Sequence, residues 1–219
     1  MNQNSVELAR FNMIHQQIRP WNVSDARVLG VLDTIPREAF VPAAYRGVAF
    51  ADMEIPLPSG HSMMAPKLVA KLLQGLAIRP KDNILEIGTG SGYLTACLAK
   101  LGGYVTSIDM DAEAIAAATK RLNGLGFRNV SLKAGDAMEA IPGGSFDVIV
   151  IGGSIPHRDE RFERALTNGG RLFAVIGQSP LMDACFITRL GDDEWRYEPK
   201  FETDLAPLDN CTPSQSFVF

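Results

Sequence analysis

The chain has 219 residues, 46% of them hydrophobic and 21% charged, the make-up of an ordinary globular domain rather than a fibrous or disordered one. A formal charge of −4 gives no overall electrostatic footprint for nucleic acid or anionic lipid and leaves room only for local basic patches. Three widely spaced cysteines, Cys97, Cys185 and Cys211, without a CxxC motif or a histidine ladder, argue against a disulfide framework or a metal site, and free thiols point to the cytoplasm.

The first ten residues, MNQNSVELAR, hold no apolar segment flanked by positive charge, and no run approaches ~18 apolar residues, so neither export nor a membrane span is expected. Leu8, Phe11, Met13, Ile14 and Ile18 have helical spacing over 6–18, with Pro20 as the stop. Ser24 is the expected cap of a second helix that turns Val28, Leu29, Val31 and Leu32 inward and ends before Pro36. Prolines and glycines then accumulate (Pro42, Pro56, Pro58, Gly60, Pro66) and predict a long irregular segment, of the kind that often carries function. Pro66 suits the first position of a helix through Leu68, Val69, Leu72 and Leu73.

After Pro80 strands and helices alternate: strands at 83–87, 104–108, 130–132, 146–151 and 171–176, helices at 94–101, 112–125 and 161–166. Such alternation predicts a parallel sheet covered on both faces, and the run VIVI fits a strand buried on both sides. Residues 184–190 and 195–201 flank Gly191-Asp192-Asp193-Glu194 and predict an antiparallel hairpin that finishes the sheet. The expected fold is therefore α/β: a doubly wound, mostly parallel seven-stranded sheet with a C-terminal antiparallel hairpin and an N-terminal helical extension. No repeat or composition break marks a second domain, so 1–219 read as one domain, with 1–78 as the extension and 79–219 as sheet and hairpin.

The stretch Asn83-Ile84-Leu85-Glu86-Ile87-Gly88-Thr89-Gly90-Ser91-Gly92 places a glycine-rich turn between a strand and a helix, where ligands of α/β sheets bind. The spacing is GxGxG, whereas the dinucleotide fingerprint GxGxxG has its third glycine one place later than Gly92, at position 93, where this chain has Tyr; that pattern fails and a dehydrogenase reading is weakened. Glu86 beside the turn would repel phosphates and suits a cationic or amino-bearing ligand. Asp109, 17 residues beyond Gly92, is placed to accept ribose hydroxyls, and Asp136, after the third strand, to receive an adenine amino group. Each carboxylate alone reads more readily as a helix cap or a solvated loop residue; three at successive strand ends reverse that preference and favour a cofactor cradle.

This set resembles the class I S-adenosylmethionine-dependent methyltransferases with their Rossmann-like sheet. VLGVLDTIPREAFVP from Val28, the PLP at 56–58, the Pro66 helix, NILEIGTGSGYLTACLA, FDVIVIGGSIP and NGGRLFAVIG are similar to the protein-L-isoaspartate O-methyltransferase family over roughly 6–208. The resemblance implies S-adenosylmethionine as cofactor, held by Glu86, Gly88, Thr89, Gly90, Gly92, Asp109, Met110, Asp136 and Ala137, and no metal. It implies methylation of isoaspartyl carboxylates in damaged proteins, with a protein or peptide acceptor and neither nucleic acid nor membrane as partner. No oligomeric state follows. A carboxylate acceptor is ionised at neutral pH and needs no general base.

One departure stands on the acceptor side. The family's T-I-S-x-P, whose Ser is implicated in catalysis, is here Ser62-Met63-Met64-Ala65-Pro66, with Met64 at the Ser position and the preceding loop about two residues shorter. A thioether donates no hydrogen bond. Ser62 and His61 are the candidate substitutes, with His61 equally readable as a polar loop residue. The family's V-x-x-V-P-L strand is here Thr203-Asp204-Leu205-Ala206-Pro207-Leu208, with Asp204 where a more neutral residue is usual. The alternatives are thus a methyltransferase of the same scaffold with another acceptor and a non-catalytic S-adenosylmethionine-binding protein. His157 reads as structural or helix entry, Met63 as pocket wall or core, and Cys97 and Asp147 as structural.

Overall fold

A computed structural model describes residues 3–211; the ends of the one-domain reading, 1–2 and 212–219, lie outside the described residues. The N-terminal helix α1 (Gln3–Asn12) widens into a π-helical turn over Met13–Ile18 and closes with a 3₁₀ turn at Arg19–Trp21 that contains Pro20. Helix α2 (Ala26–Thr34) is capped by Asp25, not by the expected Ser24. The Asp25 carboxylate accepts from the Arg27 N–H at 2.8 Å, while the Ser24 N–H donates to Gln74 Oε1 at 2.7 Å. A cap must sit one residue before the first helical turn, and Asp25 fills that place. The segment expected to be irregular contains 3₁₀ turns at Arg37–Ala39 and Ala43–Val48 and a short antiparallel hairpin, β1 (Ile55–Pro56) with β2 (Ser62–Met63). Pro66 is the first residue of α3 (Pro66–Leu76), as expected.

The main sheet follows: β3 (Asn83–Ile87), α4 (Tyr93–Leu101), β4 (Tyr104–Asp109), α5 (Ala112–Gly124), β5 (Val130–Ala134), β6 (Phe146–Ile155), α6 (Glu160–Arg164), β7 (Leu166–Gln178), β8 (Leu181–Gly191) and β9 (Glu194–Glu202). Its order is β5-β4-β3-β6-β7-β8-β9; β3 to β7 run parallel, and β8 and β9 are added antiparallel. The seven strands, both sheet faces and the closing hairpin match the expected architecture.

Successive strand residues point to opposite faces, so a run of apolar residues feeds two cores. Val148 and Val150 of β6 join the core made with α2, α3, α4 and the N-terminal turns, whereas Ile149 and Ile151 join the core on the other face with Phe162 of α6. The N-terminal extension is therefore packed into one of the sheet's two cores. Among the described residues no helix is long and apolar enough to cross a membrane.

Beyond β9 the chain returns as a strap. The Ser154 N–H donates to Ala206 O at 2.9 Å and the Leu208 N–H to Ser154 O at 3.0 Å, which lays 205–209 along the end of β6. The close approach needs Gly153, because a Cβ there would sit 2.9 Å from Leu208 Cδ2 and 3.0 Å from the Leu208 backbone nitrogen.

Candidate active site

The carboxyl ends of β3, β4 and β6 open into a pocket that takes in about 780 Å³ of space, part of it open to solvent. Its floor contains Gly88, Gly90, Asp109, Met110, Asp136 and Ala137, so six of the nine predicted cofactor residues line it together. Gly88 and Gly90 have φ of 89° and 49°, values that favour glycine and let the chain turn directly beneath the pocket. The Asp109 carboxylate stiffens this turn: Oδ2 accepts from the Gly90 N–H at 2.8 Å and Oδ1 from the Asp111 N–H at 2.9 Å. Asp136 is held likewise, Oδ1 by the Met138 N–H at 2.7 Å and Oδ2 by Asn210 Nδ2 at 2.8 Å. Each carboxylate oxygen has a second acceptor site free by its valence, so both side chains are fixed and still able to receive hydroxyl or amino hydrogens.

Three predicted residues lie elsewhere. Glu86 is wholly buried and does not line the pocket, which corrects its expected contact with a ligand. Alternation along β3 is the reason: Ile87 faces the pocket, so Glu86 points away from it, and its Oε2 accepts from Thr95 Oγ1 at 2.5 Å and Ser107 Oγ at 2.6 Å. Burial pushes this carboxyl up to about 7, against the lowering effect of the two hydroxyls and with a smaller raising effect of Asp109. Thr89 is bonded to Ser107 at 2.6 Å and borders an adjoining cavity rather than the main pocket. Gly92 borders neither; it stands before α4 with φ 81°, where a Cβ would lie 3.0 Å from Ala118 Cβ.

The opposite wall is the β1–β2 hairpin and the strap. Ser62 and His61 both line the pocket, and His61 Nε2 lies 2.9 Å from Asp209 Oδ2 across its mouth. Met64 does not line the main pocket. It borders the adjoining cavity of about 360 Å³ with Met63, Thr89 and Tyr93, and Ser62 lines both spaces. The Met64 carbonyl is anchored by the fully buried Arg37, whose Nη2 donates to it at 2.8 Å and whose Nε donates to Ala49 O at 2.9 Å. At the mouth, burial and the charge of Asp204 raise the half-buried Glu54 carboxyl.

Sequence reasoning missed Arg37, whose only signal was its place inside IPREAFVP, and Leu57, Asp209 and Asn210, which chain order keeps far from the glycine turn. His157 lines a separate cavity with Arg161 and Cys211. Asp147 is structural, accepting from the Asn83 N–H and the Thr167 hydroxyl, and Cys97 is core, its thiol pushed up to about 12 by burial. Among the described residues no cluster of three or more His, Cys, Asp or Glu is arranged to hold a metal.

Residues 9–211 match the family model described as protein-L-isoaspartate(D-aspartate) O-methyltransferase. A protein-L-isoaspartate O-methyltransferase of Koribacter versatilis is 38% identical over 183 residues, 83% of this chain and 82% of the relative. One from Rhodopseudomonas palustris is 33% identical over 198 residues, 90% of this chain and 91% of the relative. The fold is shared with a putative Plasmodium falciparum protein-L-isoaspartate O-methyltransferase solved with S-adenosyl-L-homocysteine, at TM-score 0.78 and 18% identity over 93% of this chain and 98% of that one.

Proposed function

The chain belongs to the protein-L-isoaspartate(D-aspartate) O-methyltransferase family, and from that premise we propose that its pocket binds S-adenosylmethionine and methylates isoaspartyl carboxylates in proteins. The residues present fit that cofactor. Two fixed carboxylates with acceptor sites to spare suit a ligand that offers hydroxyl and amino hydrogens, glycines 88, 90, 152 and 153 leave the floor open to close approach, and Ile108, Met138 and Leu208 offer an apolar wall for a purine. We assign Asp109 to the ribose hydroxyls and Asp136 to the adenine amino group. Glu86 acts from beneath, through Thr95, Ser107 and Thr89, to hold the glycine turn.

When bound, the cofactor supplies a methyl group on a positively charged sulfur, ready for displacement by a carboxylate oxygen. The protein's share is alignment and water exclusion, and no group needs to take a proton from an ionised acceptor. The hairpin 55–63 and the strap 205–209 close opposite sides of the mouth. Ser62, the hydroxyl common to both cavities, is the donor we assign to the acceptor carboxylate in place of the family's serine. We place the reaction in the cytoplasm, where Cys97, Cys185 and Cys211 remain free thiols, with residues 1–78 and 79–219 acting as one unit.

The observation that carries this reading is the convergence of the Gly88–Gly90 turn, Asp109 and Asp136 on one pocket faced by the family's acceptor loop. Incubating an isoaspartyl peptide with methyl-labelled S-adenosylmethionine should label the peptide, and the aspartyl isomer should stay unlabelled. Tight cofactor binding with no transfer would overturn the acceptor. That second reading, another acceptor on the same scaffold, rests on Met64, which puts a thioether on the adjoining cavity. Met64→Ser should raise kcat for the isoaspartyl peptide severalfold while lowering stability by about 2–5 kcal/mol through lost buried volume; unchanged kcat would show that position 64 does not limit the reaction.

A further inference from the structure

A second opening of about 1300 Å³ lies between α3 and the edge strand β9, lined by Trp21, Lys71, Arg79, Arg196, Lys200 and Phe201. Its charge is the reverse of the chain's net −4. Arg171, also on its wall, is paired with Asp82. Arg196 and Lys200 share one carboxylate, Glu198, at 3.3 and 2.8 Å. Lys71 and Arg79 take part in none of the ion pairs among the described residues. The Lys71 ammonium instead lies 3.5 Å from the Phe201 ring centre and 5.4 Å from that of Trp21, and Lys67, one turn earlier, lies 4.3 Å from Trp21. Burial and the nearby Lys67 hold Lys71 below the usual lysine range, the condition of a cation short of counter-charge.

The groove is built rather than incidental. Gln74 clamps the turn that carries Trp21: its Oε1 accepts from the Ser24 and Asp25 N–H groups at 2.7 and 3.0 Å and its Nε2 donates to Asn22 O at 2.8 Å. Trp21 is thereby held against α3 while remaining 51% exposed.

Both walls also lead to the active site. Helix α3 starts two residues after Met64, and its 11 residues span about 16 Å. Because β7–β8 and β8–β9 are each antiparallel, β9 runs in the direction of the parallel strands, and its end passes into the strap that lines the pocket. An extended peptide covers that length with about five residues. The pocket itself is acidic, with Glu54 and Asp209 at its mouth and Asp109 and Asp136 on its floor, so negative charge flanking an acceptor is accommodated in the groove and opposed at the pocket.

We propose that the groove between α3 and β9 docks an acidic polypeptide segment, the sequence flanking the methylated residue of a protein acceptor at a distance of about five residues or more. Aliphatic and backbone parts of that segment lie against Trp21 and Phe201, and its carboxylates meet Lys71, Arg79 and Arg196. The docking role rests on the activity proposed above; the binding chemistry does not.

Two measurements on the full chain separate them. In the first, a fluorescein-labelled glutamate-rich peptide without isoaspartate is titrated by anisotropy. It should bind saturably, more weakly as salt is raised, and at least about tenfold more weakly to Lys71→Glu and, on the other wall, to Arg196→Glu, an exposed edge-strand change that spares the core. Absent binding, or binding indifferent to both variants, overturns the proposal, and so does an oligonucleotide of equal charge that binds the same residues more tightly. In the second, labelled-methyl transfer is compared between isoaspartyl peptides with and without an acidic tail. A tail that raises kcat/KM in the wild type and not in Lys71→Glu supports docking, and equal values overturn it. If no isoaspartyl peptide is methylated while the glutamate-rich peptide still binds at Lys71 and Arg196, the activity reading falls and the acidic-peptide site stands.

Discussion

The floor of the pocket comes from strand ends and the turns after them between residues 87 and 153, whereas its mouth joins 54–62 to 205–209 and is bridged by His61 and Asp209, which are 148 residues apart. Under the floor, Glu86, Thr95 and Ser107 are completely buried, with both hydroxyls donating to the Glu86 carboxylate. At the mouth, the side chains of His61 and Asp209 are 43% and 56% exposed. A buried network is costly to alter because any unpaired member pays its full desolvation, while a solvated contact costs little to lose. The departures read from the family resemblance, Met64 and the shorter hairpin, lie on the acceptor side, while the glycine turn, Asp109 and Asp136 lie over the buried network. Met64 is itself only 7% exposed, so the low cost of a solvated contact does not account for it.

The largest expected effect comes from the network. Glu86 ionises near 7 in the fold, against a usual value of 4.5, because burial disfavours its charge. The folded state therefore keeps a proton that the unfolded chain releases, so this group's contribution falls as pH rises from about 4.5 through about 7 and levels off above. Glu86→Gln has no such titration, and the hydroxyls of Thr95 and Ser107 can donate to its amide oxygen. Between pH 5 and 8 the wild type should lose roughly 2 kcal/mol relative to the variant, read from urea unfolding at a series of pH values. Parallel pH profiles would mean that Glu86 stays ionised throughout and that the floor is no more desolvated than the mouth.

Next in size is Asp109, which joins the buried turn to the open pocket. Asp109→Ala should weaken S-adenosylmethionine binding by about ten- to a hundredfold in calorimetry, the scale of a lost hydrogen bond to a charged group. Asp109→Asn keeps an acceptor for the Gly90 N–H and separates turn support from ligand contact. If both variants bind the cofactor like the wild type, Asp109 belongs to the scaffold alone.

The same division decides what was legible in the sequence. Strand β3 was read to the residue, and the GxGxG turn, Asp109 and Asp136 were found, because each depends on local chemistry: alternation, positive φ, and an acid at a strand end. Ser24 and Glu86 show the limit of the same reasoning. A one-residue shift moves a helix cap, and one step along a strand turns a carboxylate from pocket to core. The hairpin of Ile55–Pro56 with Ser62–Met63, the buried anchor Arg37 and the Asn210–Asp136 contact depend on segments that meet only after folding. The accumulation of prolines and glycines marks the loop as a functional segment, only the family resemblance points toward the C-terminal strap, and neither gives a contact between them.

The smallest expected effect tests the mouth directly. His61→Ala, Asp209→Ala and the double variant form a cycle whose coupling in kcat/KM should be below about 1 kcal/mol, less than about sixfold, since an exposed pair is screened and its ordering cost offsets its attraction. Each single change should leave cofactor affinity unaltered, because the carboxylates assigned to that ligand are held by Gly90, Asp111, Met138 and Asn210 and not by the hairpin. A coupling well above tenfold would show the hairpin and strap closing as one ordered unit. The mouth would then be as tightly specified as the floor, and the contrast between a buried floor and a solvated mouth would no longer hold.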